Sequence, residues 1–193
     1  DNAHMQRFEQ LLKEEKPVIR MLVNCAGYGI MGDFSEGDRT ELLGMIDLNC
    51  RSLTEMTYLC IAYMCKNSRI IQLASSAAFL PQPDFAVYAA SKSYVYSFSR
   101  ALARELAPRS IYVTAVCPGP VDTPFFDIAE KNGSTLAIKK LAIAKADKVV
   151  RKAIADSYKK KERSVYGRVI KGFELLAKAV PHEMILKAMS YMK

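Results

Sequence analysis

Val18-Ile19-Arg20-Met21-Leu22-Val23-Asn24-Cys25-Ala26-Gly27 is the stretch that decides the fold. A short, mostly apolar run that is β-branched at its start follows Pro17 and passes directly into glycines. It reads as a buried strand of parallel type with a turn at its carboxyl end. Upstream, Met5, Phe8, Leu11 and Leu12 recur at helical spacing over 3–16, and Pro17 stops that helix. Downstream, a glycine-rich turn over 25–32 leads to Ser35 and Asp38, a capping-type start, and to a helix expected to run to about Cys65. A second strand reads from Arg69 to Ser75, and Pro81 and Pro83 then mark a loop. A helix covers about Phe85 to Ala107, and a third strand runs from Ile111 to Cys117, ended by Pro118-Gly119-Pro120. Strands alternating with helices too long for hairpin links specify an α/β fold: a doubly wound parallel sheet with right-handed crossovers.

The 193 residues are 50% hydrophobic and 25% charged, which suits one domain with a buried core and excludes a disordered chain. No run approaches the ~18 apolar residues of a membrane span, and Asp1 opens no signal peptide. The five cysteines are odd in number and include no C-x-x-C pair, and the two histidines lie near opposite ends. That argues against a disulfide framework, a metal site or a His-based triad, and points to reduced thiols in the cytoplasm.

The net charge of +8 is uneven. Residues 1–130 carry 12 Lys and Arg against 15 Asp and Glu, whereas residues 131–193 carry 16 against 5. Such a basic end reads as solvated helix faces, or as contact with an anionic membrane surface or ligand. Nucleic acid is not expected, because the basic segment lacks interleaved aromatics. After Pro124 comes a loop or short helix, then a polar helix over about Asp147 to Lys161, and a short strand, Arg163 to Tyr166. Helices over Val169 to Val180 and Glu183 to Met192 follow. In the first of these, Val169, Ile170, Phe173, Leu176, Ala177 and Val180 fall on one face, opposite Arg168, Lys171, Glu174 and Lys178. Core packing is the expected use of that stripe, with a membrane surface as the alternative.

Gly27-Tyr28-Gly29-Ile30-Met31-Gly32 spells G-x-G-x-x-G directly after a strand. A phosphate-cradling loop needs a helix that begins inside the glycines and an acid-ended strand about 20 residues on. Here Asp33, Phe34 and Ser35 intervene and a long helix follows, so the match is read as fortuitous. Tyr88 and Lys92, one turn apart on one helix face, carry more chemistry. An ammonium beside a phenol favours the phenolate and would bring it toward proton exchange at neutral pH. With 10 Tyr and 17 Lys, about one Tyr-x-x-x-Lys arises by chance, so the pair gains meaning only from its context.

That context resembles the short-chain dehydrogenase/reductase family over about residues 4–126. Asn24-Cys25-Ala26-Gly27 is similar to the family's N-[NC]-A-G element, with Cys25 in place of the more usual second Asn. Asn49 matches its catalytic Asn, Ser75 its catalytic Ser by distance from the tyrosine, and Tyr88 and Lys92 its Y-x-x-x-K pair. Pro118-Gly119-Pro120-Val121-Asp122-Thr123 resembles the P-G-x-x-x-T turn. The resemblance implies a Rossmann-type sheet and hydride transfer with NAD or NADP, NADP being favoured, between a ketone and a secondary alcohol. Asn49, Ser75, Tyr88 and Lys92 would be catalytic. Asn24, Ala26, Gly27, Tyr88, Lys92, Pro118, Gly119, Val121 and Thr123 would meet the cofactor. The family's T-G-x-x-x-G-x-G loop does not precede Asp1, so residues 1–193 are expected to form one incomplete domain, truncated at its N-terminal side. In it, residues 1–123 would be the sheet core, and the helical extension over 124–193 would cover a small apolar carbonyl or alcohol substrate. A catalytically inactive interaction protein is the alternative. A homodimer or homotetramer is implied, with peripheral membrane contact through the basic helices.

Overall fold

The computed structural model describes residues 2–130 and 143–190. Helix α1 (Asn2–Glu15) closes at Lys16, whose φ of 43° turns the chain toward strand β1 (Ile19–Asn24). The long helix expected next is broken in two. Asp33 caps a short 3-10 turn, Phe34–Glu36, and α2 (Arg39–Ile46) begins only at Asp38, whose carboxylate accepts the amide of Glu41. Between α2 and α3 (Leu53–Ile61) lies a π-helical turn, Asp47–Ser52. Hydroxyls stabilise this widening: Ser52 donates to the carbonyl of Asp47 (2.8 Å) and Thr54 to that of Cys50 (2.8 Å).

Strand β2 is Met64–Leu73, so it starts before the expected Arg69 and stops before Ser75. The polar run Cys65-Lys66-Asn67-Ser68 hides its first half, and Asn67 adopts φ 68° where the register slips between Ile19 and Met21. Ser68 bridges the irregularity by donating to the carbonyl of Ile19. Then follow α4 (Ala86–Leu106), β3 (Tyr112–Val116), β4 (Val121–Asp122), α5 (Phe125–Ala129), β5 (Ala144–Lys145) and α6 (Ala146–Tyr158). Strand β6 (Arg163–Ser164) and helices α7 (Arg168–Ala179) and α8 (His182–Ser190) complete the described chain. The loop or helix expected across 131–142 and the helix end at Met192 lie outside the described residues.

The main sheet has the order β1-β2-β3-β6, all parallel, and β4 and β5 form a separate parallel pair. Alternate residues of β2 and β3 feed opposite layers. Ile70 and Val113 pack with Leu102, Ala103 and Leu106 of α4, while Ile71 and Val116 pack with Val149 and Ala153 of α6. The carboxyl ends of β1, β2 and β3 share one rim, the edge at which a doubly wound sheet meets ligands.

The α7 stripe divides differently from its expected pattern. Ile170 and Ala177 are buried, but Val169 (56% exposed) and Leu176 (49%) face outward, and Glu174 turns in at 6%. Arg163 on β6 and Lys178 both pair with the Glu174 carboxylate, and that pairing rotates the helix away from a purely apolar contact.

Candidate active site

Helix α4 begins with Phe85 just before it, and its first turns carry Tyr88, Ser91 and Lys92, all buried. The Tyr88 ring stacks on Phe85 at 4.2 Å between centroids and meets Phe125 at 5.5 Å. Lys92 reaches back to the end of β2, where its Nζ donates to the carbonyl of Leu73 (2.8 Å) and lies 5.7 Å from the Tyr88 ring centroid. Ser75 follows that strand end in extended conformation, its Oγ accepting the amide of Ala77.

The electrostatics run opposite to the sequence expectation. Burial pushes the Tyr88 phenol up to about 12, and the neighbouring Ser75 hydroxyl offsets only part of this. Burial likewise brings the Lys92 ammonium down to about 8, against a smaller upward pull from the thiols of Cys50, Cys117 and Cys25. Both shifts have one leading cause: burial removes the water that would solvate either charge. Tyr88 is therefore a protonated phenol at neutral pH. The downward pull on it comes from Ser75 and not from Lys92, and desolvation outweighs it.

The glycine turn packs directly against this pair. A Cβ at Gly27 would lie 2.7 Å from Asn49 Oδ1 and 3.2 Å from Lys92 Nζ, and one at Gly29 would lie 2.6 Å from the Tyr88 ring. These glycines bring backbone against the site, and no helix starts within them, in keeping with the fortuitous reading of the fingerprint. Asn49 sits in the π turn, fully buried. Its Oδ1 accepts the amide of Tyr28 (3.1 Å), and its Nδ2 donates to the carbonyl of Tyr28 (2.9 Å) and to Ser91 Oγ (3.0 Å). Ser91 in turn donates to the carbonyl of Tyr88 (2.7 Å), so the chain of bonds runs from the glycine turn to α4.

Asn24 braces the sheet: its Nδ2 donates to Thr57 Oγ1 and Gln72 Oε1, both at 2.9 Å. Ala26 and Thr123 are exposed, and the Thr123 hydroxyl bonds locally to the carbonyl of Val121 (3.4 Å). Pro118 joins the rim through its carbonyl, which accepts the amide of Ser76 (2.8 Å), while Gly119 lies against Ile170. The structure thus gathers Gly27, Asn49, Ser75, Tyr88 and Lys92 around one point. Val121 lies on the β4–β5 pair and Thr123 just after it. Three contributors escape the sequence reading, Ser91, Phe85 and Thr57, while Phe125 belongs to the cover expected over 124–193. Spacing from Tyr88 on α4 could have exposed Ser91 and Phe85, whereas nothing local marks Thr57.

The amine of Lys92 offers three donors and has one protein acceptor, in a site nearly closed to water. That shortage of acceptors, beside a glycine turn without side chains, fits a polyhydroxylated ligand laid along the rim. Among the described residues no cluster of His, Cys, Asp and Glu could hold a metal ion, and no helix is long and apolar enough to cross a membrane.

Comparison with known proteins places this arrangement. The family model described as short chain dehydrogenase matches residues 1–133. An uncharacterized oxidoreductase of Staphylococcus epidermidis is 33% identical over 108 residues, which is 55% of this chain and 47% of that protein. The chain spans about half the length of the curated relatives it matches. A short-chain dehydrogenase from Sphingobium yanoikuyae, solved in complex with NADPH, superposes with TM-score 0.74 at 25% identity, over 86% of this chain and 63% of that one. A short chain dehydrogenase/reductase from Burkholderia phymatum, solved with NAD, reaches 0.76 at 19% identity, over 91% and 71%, and shares the fold.

Proposed function

The chain belongs to the short chain dehydrogenase family, and from that premise we propose that it carries the proton-transfer half of an oxidoreductase that interconverts a ketone and a secondary alcohol. The observation that carries this reading is the pairing of a protonated Tyr88 with a buried, under-bonded Lys92 beside Ser75. A nicotinamide dinucleotide, when bound, supplies or accepts the hydride. Lys92 would hold its ribose hydroxyls, Gly27 and Ala26 would let it approach the rim, and the Pro118–Thr123 turn would meet the nicotinamide end. NADP is favoured over NAD, with the NADPH complex of the Sphingobium protein as support.

In the reductive direction, Tyr88 donates its proton to the carbonyl oxygen as charge develops there. A phenol at about 12 is loaded with that proton at any physiological pH. Ser75 Oγ orients the same oxygen, and Lys92, charged below about 8, stabilises the phenolate left behind. Asn49 holds the glycine turn in register with Tyr88 through Ser91, and by the family resemblance it would order a relay water. Phe85 and Phe125 line the approach, which favours an apolar substrate.

Tyr88→Phe in the protein that carries this chain tests the proposal. Ketone reduction should fall roughly 10²- to 10⁴-fold, the usual contribution of a positioned general acid, with little change in KM. Unchanged turnover would overturn the role. The rate of reduction should also decline as pH rises through about 8, where Lys92 loses its charge; a flat profile between pH 7 and 9.5 would remove Lys92 from the mechanism.

A further inference from the structure

A second feature lies where the starts of α6 and α7 approach the end of β3. An open cleft of ≈ 390 Å³ is walled by Gly119, Val149 and Ile170, and Lys145, Lys148 and Arg168 also line it. The described residues lining it include no acid. These three cations differ from several basic residues nearby. Arg151 and Lys152 on the same helix pair with Asp147 and Asp156, Lys161 also pairs with Asp156, and Lys178 pairs with Glu174. Lys145, Lys148 and Arg168 form no ion pair among the described residues, and Asp122, the register partner of Lys145 across the β4–β5 pair, makes none with it. Three unpaired positive charges around one apolar-walled opening repel one another, and an anion placed among them relieves that repulsion.

We infer that this cleft binds an amphipathic anion, a carboxylate or phosphate on an alkyl stem, with the head among Lys145, Lys148 and Arg168 and the stem along Val149 and Ile170. The size suits such a ligand, being within the range of small-molecule sites. The charges hold the head, and the apolar walls exclude a fully hydrated ion. The cleft adjoins the rim through Gly119, next to the Pro118 carbonyl that holds Ser76. The site goes beyond the proposed reaction and does not depend on it.

Calorimetric titration of the protein with decanoate, decyl phosphate and 1-decanol tests this, in low and high salt. Each exposed ion pair contributes up to about 1 kcal/mol, so both anions should bind about 10- to 100-fold more tightly than the alcohol. High salt should erase most of that margin. The triple variant K145Q/K148Q/R168Q should bring both anions to the affinity of the alcohol and leave 1-decanol unchanged. Removing three cations elsewhere, K13Q/R51Q/R104Q, should change nothing. Equal binding of decanoate and 1-decanol overturns the site, as does an equal loss of affinity in the two triple variants. If only decyl phosphate binds, a carboxylate head is excluded and the inference fails in its stated form. Neither dinucleotide nor turnover enters the measurement, so failure here leaves the proposed reaction standing, and the reverse.

Discussion

Two buried charged regions of this molecule are built on opposite principles. Asp156, at 4% exposure, accepts from Lys152 (2.7 Å), Lys161 (3.0 Å) and Ser164 (2.8 Å), tying α6 to β6. Burial pushes its carboxyl up, but these hydrogen bonds outweigh it and hold the acid below its ordinary range. Lys92, also at 4%, has one carbonyl for three donors and no carboxylate beside it. A buried charge with its bonds complete serves structure. One left short of partners is costly in the folded chain, and such a group is poised for something that arrives later.

The largest effect should separate those two roles at Lys92. Lys92→Met removes the ammonium and keeps most of the side-chain volume. Dinucleotide binding or turnover should drop at least ~10²-fold, as expected for a group that touches the reacting centre. Thermal stability should stay level or rise, since an incompletely bonded buried charge disappears. A variant that loses stability and keeps turnover would make Lys92 a structural residue and erase the contrast.

Asp156→Asn should do the reverse. It leaves Lys152 and Lys161 facing a neutral amide and should cost about 2 kcal/mol at pH 7, below the usual range for a buried pair because Lys161 is half exposed. Turnover per folded molecule should not change. The sign with pH follows from the depressed carboxyl: its stabilisation is complete above the unfolded value near 4 and is lost as pH falls through the folded one. Urea melts of wild type and variant should therefore converge in acid. A constant gap down to pH 2 would mean that the carboxylate's charge is not what holds α6.

Much of the contrast was legible in the amino-acid sequence at the Lys92 end and little at the Asp156 end. Asn24, Asn49, Ser75, Tyr88 and Lys92 stand at spacings that local periodicity places on strand ends and one helix face, so the chemistry-bearing residues could be named. Their ionisation could not. Phe125 is remote from Tyr88 in the chain, and it is among the groups that pack against the phenol, whose burial pushes it up. The inward turn of Glu174 escaped for a similar reason. Its amphipathic pattern is satisfied equally well with Val169 and Leu176 inside, and only Arg163, on a separate strand, selects the observed rotation. The π turn at Asp47–Ser52 and the polar start of β2 depend on hydroxyl-to-carbonyl bonds that no hydrophobic periodicity reports.

The smallest effect is the pH dependence that Lys92 itself imposes on folding. Its folded value, about 8, lies below the ordinary 10.5, so between these pH values the unfolded chain holds more protons than the folded one. Stability from this group is complete above 10.5 and is lost as pH falls through 8, so it rises with pH across that window. Tyr88 acts in the other direction: its contribution is complete below its ordinary 10.0 and is lost as pH rises through about 12. The informative interval is therefore pH 8 to 10, where only Lys92 of the two changes. The urea midpoint of wild type, measured against Lys92→Met, should climb across that interval, because the variant shares every other titrating group. Parallel midpoints would mean that folded Lys92 keeps its proton up to pH 10, as the unfolded chain does. In that case burial does not shift Lys92, and the contrast with Asp156 would lose its electrostatic half.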